Sequence, residues 1–138
     1  MIFDEIVRLM TVDEWPIELL RASTLRTTFS HGKKPFPLLI HEDGTHLVIA
    51  VVPYLRIPVD VERAERFMDR LLHLNNDMNL AKFSVDEDGD VLLSVEWLLA
   101  DLDASELRDA LNVITHYAIE NWDELRQLVG ETARTVAP

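Results

Sequence analysis

Residues 84–97, SVDEDGDVLLSVEW, decide between two kinds of fold. The acids around one glycine suggest a calcium-binding loop that leads into a helix. An EF-hand loop, however, requires a bidentate Glu six residues after its Gly. With Gly89 at that position, Val95 stands where the Glu must be, and Glu96 misses it by one residue. The segment is therefore predicted to be a β-hairpin that turns at Asp88-Gly89 or Gly89-Asp90, since Gly accepts the positive φ of a tight turn.

The hydrophobic residues on either side of this hairpin recur with helical and strand periods. The predicted helices cover 2–11, the segment from a cap at Asp60 to Asn75, and the segment from a capping box of Asp103 and Glu106 to Gly130. The predicted strands cover 23–29, 81–86, 91–98 and a hairpin within 35–55 that turns at Asp43-Gly44. The order αβββαββα predicts an α+β fold, with an antiparallel sheet of about five strands packed with three helices. We expect one domain over 1–130 and a frayed tail over 131–138.

Composition excludes several classes of partner. The formal net charge is −12, from 13 Lys and Arg against 25 Asp and Glu, and such a surface repels nucleic acid and anionic lipid. Cysteine is absent, which excludes disulfides and thiolate chemistry. The first residues lack the basic and apolar stretches of a signal peptide, and no apolar run reaches the length of a membrane span. We expect a cytoplasmic protein with no nucleic-acid or membrane partner.

The residue types that carry chemistry do not form a recognisable site. A two-residue turn at Asp43-Gly44 would place His41 opposite His46, but two ligands do not make a metal site. The glycines are isolated at loops, turns or helix ends, so no phosphate cradle exists, and no Ser lies between paired glycines. The acids lie mainly on polar helix faces and in turns. We therefore expect no catalytic residue, no cofactor and no metal.

Three of the predicted strands are apolar at both parities, in 38–40, 47–52 and 91–93. A strand that is apolar on both faces requires cover on both faces. Three helices can cover one face of the sheet well but are too few to cover both faces. The second face must meet the middle helix, a twin subunit or a segment of a client protein; alternatively, the helices divide between the faces of a monomer. The predicted partner or dimer surface comprises Leu38, Ile40, Val48, Ala50, Val52, Phe67, Met68, Leu71 and Leu92.

A few single residues allow two interpretations. Asn75 ends a helix beside a hairpin and is either a recognition residue or, as we expect, a partner for backbone groups at the helix end. Asn121 lies within the apolar arc of the last helix and is either a buried polar contact that sets the register of an interface or, as we expect, a residue at a rim position. Trp97 and Trp122 are either anchors for a client or, as aromatic residues more often are, part of the core.

The second half of the chain resembles a known family. The resemblance rests on LLHLN at 71–75, AKF at 81–83, the acids and VLL of 86–93, and LDASEL at 102–107. These residues resemble the YbjN-like family of bacterial proteins, described as sensory-transduction regulators. The resemblance covers 60–128 well and the first 59 residues loosely. It implies the fold of type III secretion chaperones, which are small, acidic, usually dimeric and cytoplasmic, have no catalytic centre, and hold an extended segment of a client.

Together these observations predict a non-enzymatic interaction module, chaperone- or adaptor-like. We expect it to form a homodimer and to bind an extended segment of a partner protein, with clients carrying basic flanks favoured by the acidic surface. One alternative is a regulatory domain that senses a small ligand. A second is an enzyme without a recognisable sequence signature.

Overall fold

The structure, a computed structural model, describes residues 1–130 of the chain; the predicted frayed tail lies outside the described residues. The helices are α1 (Phe3–Val12), α2 (Val61–Asp77) and α3 (Ala104–Val129). The strands are β1 (Glu18–Arg21), β2 (Thr24–His31), β3 (Lys34–Glu42), β4 (His46–Arg56), β5 (Ala81–Val85) and β6 (Asp90–Leu98). The predicted α+β class, with three helices and an antiparallel sheet, is confirmed. The sheet has one strand more than the predicted order, because β1 precedes the first predicted strand.

All six strands form one antiparallel sheet in the order β1-β2-β3-β4-β6-β5. Helix α2 carries the chain from β4 to the far edge, where β5 begins, and β6 returns between β5 and β4. The two edge strands are therefore β1 and β5. The β1 sequence, ELLR, gives no strand signal: it is four residues long, its two leucines are adjacent, and all four residues are exposed.

One face of the sheet holds the hydrophobic core, and all three helices contribute to that core. The register shows how a single row crosses the sheet on this face: Leu25 lies opposite Ile40, which lies opposite Ile49, which lies opposite Val95. Helix α3 crosses the same face. The Tyr54 hydroxyl donates to the Ala118 carbonyl at 2.6 Å, and burial raises the pKa of Tyr54 far above its ordinary value.

Helix α2 lies beside α3 on the core side of the sheet, next to β5. The Arg70 guanidinium binds the Glu124 carboxylate at 2.6 Å, and the Asn79 amide donates to the Tyr117 hydroxyl at 3.1 Å. Since these contacts pair later residues of the α2 region with earlier residues of α3, the two helices run antiparallel. The middle helix therefore does not cover the second face of the sheet.

The β3–β4 turn is shifted by one residue from its predicted place. The Asp43 amide donates to the His46 carbonyl, so Gly44 and Thr45 are the central residues and His41 lies opposite Val48. The predicted opposition of His41 and His46 is wrong, because moving the turn by one residue moves the partner of His41 two residues along β4, from His46 to Val48 on the same face. The Asp43 carboxylate accepts from the amides of Thr45 and His46 at 2.9 and 2.8 Å, which explains the shift and lowers the pKa of Asp43.

The β5–β6 hairpin forms in the predicted segment, but its loop spans the three residues 87–89 instead of a two-residue turn at Asp88-Gly89 or Gly89-Asp90, since the Asp86 amide donates to the Asp90 carbonyl at 3.0 Å. Gly89 has a φ of +83°, and its amide donates to the Asp86 carbonyl at 3.1 Å. The Asp86 carboxylate accepts from the amides of Asp88 and Asp90, each at 2.9 Å. This side chain therefore organises the turn and is more than a solvated acid on the outer face of a strand.

Gly89→Ala should destabilise the protein by roughly 1 kcal/mol or more, because an alanine at positive φ is strained. A Cβ there would also approach the Ile57 side chain at 3.3 Å. Asp86→Ala should cost about 0.5–2 kcal/mol, as the loss of comparable caps does. Glu87→Ala, in the same turn, is the control and should change the free energy of unfolding by less than about 0.5 kcal/mol. Urea unfolding measures all three, and equal effects would contradict this account of the turn.

Candidate interaction surfaces

The second face of the sheet carries an apolar centre that none of the helices within residues 1–130 covers. We call this face the open face; its apolar side chains are Pro37, Leu39, Val48, Ala50, Val52 and Leu92. Within residues 1–130, none of them belongs to the hydrophobic core or packs against it. They are half-buried by their neighbours on the sheet, apart from Ala50, which is small and buried. The central strands are therefore apolar on both faces of the sheet, and the helices within residues 1–130 cover one of these faces and leave the other open.

The charges on the open face are balanced, although the whole chain is strongly acidic. Arg26 binds Glu18 at 2.6 Å on the β1 side, and Lys82 binds Glu96 at 3.1 Å on the β5 side. The His41 ring nitrogen Nδ1 lies 2.8 Å from the Thr24 hydroxyl. The open face thus combines an apolar centre with flanks of paired charge. This local balance gives no support to the expected preference for clients with basic flanks.

The predicted partner surface divides into three groups. Four of these residues lie in the core of the single chain: Leu38, Ile40, Phe67 and Leu71. Their prediction as surface is wrong, because the helices pack against that face of the sheet. Val48, Ala50, Val52 and Leu92 come together on the open face. Met68 lies apart from both groups, on the exposed side of α2.

The exposed side of α2 carries a second apolar surface. Val61 and Leu72 are each 69% exposed and Met68 is 38% exposed. Their spacing of seven and four residues places them on one side of the helix, apart from the buried Phe67 and Leu74. We call Val61, Met68 and Leu72 the α2 stripe.

The two edges of the sheet differ in whether another strand can join them. At the β5 edge, the Asn75 side-chain amide donates to the Phe83 carbonyl at 3.0 Å and accepts from the Phe83 amide at 2.6 Å. These are the two hydrogen bonds that a further strand would make. Asn75 does satisfy backbone groups, but they belong to the neighbouring strand and not to the helix end. The β1 edge has no such side chain among the described residues, and its Leu19 and Leu20 are 60% and 41% exposed.

A groove runs between α1 and β1, with a volume of about 450 Å³. It is lined by Phe3, Asp4, Val7, Arg8, Leu19, Arg21 and Ala22. A smaller cavity of about 240 Å³ lies beside Asp13 and Arg108, whose ion pair at 2.8 Å lowers the pKa of Asp13.

The described residues contain no arrangement typical of a metal site. No group of three His, Asp or Glu side chains converges within 1–130. The lowered pKa values of Asp13, Asp43 and Asp103 arise from hydrogen bonds at exposed positions. No helix in this part of the chain is both long and apolar enough to cross a membrane.

The tryptophans and Asn121 pack inside the molecule. The Trp122 ring meets Phe36 and Tyr54 edge-on, with centroids 5.5 Å away in each case, and Trp97 packs against the core. Asn121 is buried and donates to the Tyr117 carbonyl at 3.0 Å. The expected rim position for Asn121 is therefore wrong, because the antiparallel contact of α2 with α3 covers it.

Comparison with protein families identifies the chain. A model of the YbjN family, with the description "Putative bacterial sensory transduction regulator", matches residues 3–127. The chain belongs to the YbjN family. The match extends the resemblance seen in the sequence over the first 59 residues as well. Comparison of this YbjN protein with curated proteins gives no significant match.

Solved structures with the same fold include chaperone complexes of type III secretion. The heterodimeric ExoU–SpcU complex of Pseudomonas aeruginosa contains a chain with a TM-score of 0.61 and 18% identity, covering 94% of this chain and 98% of that one. The HopA1–SchA chaperone–effector complex gives 0.57 and 14%, with coverages of 88% and 90%. The Yersinia pestis type III secretion chaperone SycH, in complex with a fragment of YscM2, gives 0.50 and 14%, with coverages of 86% and 94%. The predicted type III secretion chaperone-like fold is confirmed.

Asn75→Ala should lower the free energy of unfolding by about 1–3 kcal/mol, because it leaves the Phe83 amide and carbonyl without partners. It should also increase light scattering at high concentration, because an unpaired edge strand favours association. Asn76→Ala, one residue along at an exposed position, is the control and should do neither. If the Asn75 and Asn76 variants behaved alike in urea unfolding and light scattering, Asn75 would not be sealing the edge.

Proposed function

We propose that this protein is a non-enzymatic protein-interaction module, chaperone- or adaptor-like, that holds an extended segment of a partner protein. The observation that carries the proposal is the open face, an apolar sheet surface to which the described chain brings no helix. The chain's own α2 lies beside α3 on the core side, which leaves a client segment or a twin subunit as cover for this face.

The shape of the open face favours an extended segment over a compact ligand. Its apolar side chains form a shallow surface over β3, β4 and β6, whereas small molecules are usually enclosed in deep cavities. Anchor side chains of an extended chain can lie between the side chains of such a sheet. The fold shared with secretion chaperones that were solved in complex with partner proteins supports the same choice.

We further propose that the α2 stripe is the surface through which two copies associate. Its exposed side chains are apolar, and helical pairing of two copies is a common way to cover such a stripe. Acids flank it at Glu62, Glu65 and Asp69. Pairing would bring like charges together, so we expect the association to be moderate in strength and sensitive to salt.

A peptide array drawn from the host's own cytoplasmic and secreted proteins tests the segment-binding function. Extended segments with spaced apolar residues should bind with affinities on the order of micromolar, because ordering the segment offsets much of the contact energy. Leu39→Glu places a charge in the centre of the open face and should weaken this binding about tenfold or more.

Ser30→Glu is the matched control, since Ser30 is exposed on the same face opposite Pro35 and lies outside the apolar centre. Equal binding by both variants would remove the open face from the mechanism. Binding confined to folded partners, or a tightly bound metabolite in the purified protein, would reject the chaperone function and favour a ligand sensor.

Sedimentation tests the dimer. At micromolar concentration the protein should sediment with about twice the chain mass, and the dimer should strengthen as salt screens the acids beside the stripe. Leu72→Glu should shift the equilibrium to monomer. His73→Glu makes the same formal change of charge at the next exposed position and should shift it much less. A monomer at every salt concentration would contradict the proposal.

A further inference from the structure

We propose that the groove between α1 and β1 is a binding site for a small amphipathic carboxylate. The aliphatic chain of this ligand would lie against Phe3, Val7 and Leu19, and its carboxylate would bind Arg8 and Arg21. The groove is separate from the open face and from the α2 stripe. The inference therefore goes beyond the segment-binding function and does not depend on it.

The first argument is the size and lining of the groove. Its volume of about 450 Å³ lies within the range of roughly 300–1,000 Å³ that small-molecule sites occupy. Four of the seven side chains that line it are apolar. Both walls contribute them: Phe3 and Val7 belong to α1, Leu19 belongs to β1, and Ala22 follows directly after β1. A lining of this kind favours an aliphatic chain as ligand.

The second argument is the exposure of Leu19. This residue lies opposite Leu25, which belongs to the core, so its side chain is on the helix side of the sheet. It is nevertheless 60% exposed, because the residues within 1–130 leave the space between α1 and β1 open at this point. An aliphatic chain that covered Leu19 would remove its apolar surface from water, and this burial stabilises the bound state.

The third argument is local charge. Arg8 and Arg21 line the groove from opposite walls, and within residues 1–130 neither forms an ion pair. A guanidinium without a partner is well suited to bind a carboxylate through two hydrogen bonds. The groove's own carboxylate is Asp4, so its two cations exceed its anions by one charge. A carboxylate, with one negative charge, neutralises this excess, whereas a phosphate monoester carries up to about two.

The net charge of −12 does not oppose an anionic ligand. Screening limits the reach of exposed charges to about 8–10 Å at physiological salt, so the nearest groups dominate. For a carboxylate in the groove the nearest cations are Arg8 and Arg21. An inorganic anion would use these arginines but not the apolar lining, so the combination of the two specifies an amphipathic ligand.

Octanoate, a carboxylate on an unbranched aliphatic chain, is the probe that tests the inference. Titrated into isotope-labelled protein, it should shift the amide resonances of residues 3–8 and 19–22 and leave those of the open face unchanged. Since the groove is open to solvent, the dissociation constant should be on the order of a millimolar. Octylammonium, with the same chain and the opposite charge, should bind in the groove about tenfold more weakly or less. Decanoate should bind more tightly, by up to about fourfold for each added methylene that the groove covers.

Charge variants locate the carboxylate. Arg8→Gln/Arg21→Gln removes two positive charges at exposed positions and should weaken octanoate binding about tenfold or more. Binding of octanol, which has the same chain without a charge, should change by less than about twofold, because the apolar lining is intact. Lys33→Gln/Arg66→Gln is the matched control, with the same change of net charge at exposed positions outside the groove, and should leave octanoate binding unchanged.

Apolar variants locate the chain. Leu19→Ser keeps both arginines and should weaken the binding of octanoate and octanol alike. Leu20→Ser is its control, since Leu20 is the next residue of β1, is 41% exposed and lies outside the groove lining. It should change neither affinity.

The outcomes separate this inference from the segment-binding function. Octanoate shifts spread over the open face, equal binding of octanoate and octylammonium in the groove, or unchanged octanoate affinity in the Arg8/Arg21 variant would overturn the inference. Displacement of octanoate by acetate at comparable concentration would also overturn it, because the apolar lining would then contribute nothing. Absence of octanoate binding to the wild-type protein would reject the ligand site alone, since the segment-binding function is tested at Leu39 with array peptides.

Discussion

The packing of α3 across one face of the sheet is the contact on which the other features depend. Trp122 meets Phe36 and Tyr54 edge-on, and the Tyr54 hydroxyl is satisfied by the Ala118 carbonyl. Because α3 occupies the centre of this face, α2 packs beside it over β5, and the opposite face of the sheet receives no helix from the part of the chain that the structure describes. The open face, the exposed α2 stripe and the position of Asn75 at the β5 edge all follow from this arrangement.

The asymmetry of the edges arises from one amide side chain. Asn75 is positioned by the last turns of α2, and its amide reproduces both hydrogen bonds of a neighbouring strand at Phe83. An apolar side chain at this position would leave the Phe83 backbone exposed, and Asp would lack the donor for the carbonyl. From the sequence, Asn75 was expected only to satisfy backbone groups at the end of a helix. In the structure it blocks the β5 edge, so β1 is the edge at which another strand could pair.

Most of the architecture could be predicted from periodicity, but the placement of surfaces could not. The helices, the Gly89 turn and the strands of the central sheet carry strong local patterns, and each was found close to its predicted place. Strands that are apolar on both faces indicate that both faces of the sheet need cover. The sequence does not show, however, whether the odd-numbered or the even-numbered side chains of such a strand face the helices. For that reason Leu38 and Ile40, which are core residues, were grouped with Val48 and Leu92, which are not. Strand β1 was missed because four exposed residues with adjacent leucines carry no periodic signal.

The proposed surfaces are compatible because the fold keeps them apart. Helix α2 lies beside β5, and β1 is the opposite edge of a sheet of six strands. With strands about 4.8 Å apart, the two edges are separated by roughly 24 Å. Two copies joined through the α2 stripe would therefore leave both grooves between α1 and β1 free at the outer ends of the dimer. A partner segment could lie on the open face of each copy without crossing the dimer interface. Such a dimer would hold two segments at once, and a partner with two copies of the segment would gain affinity from their linkage.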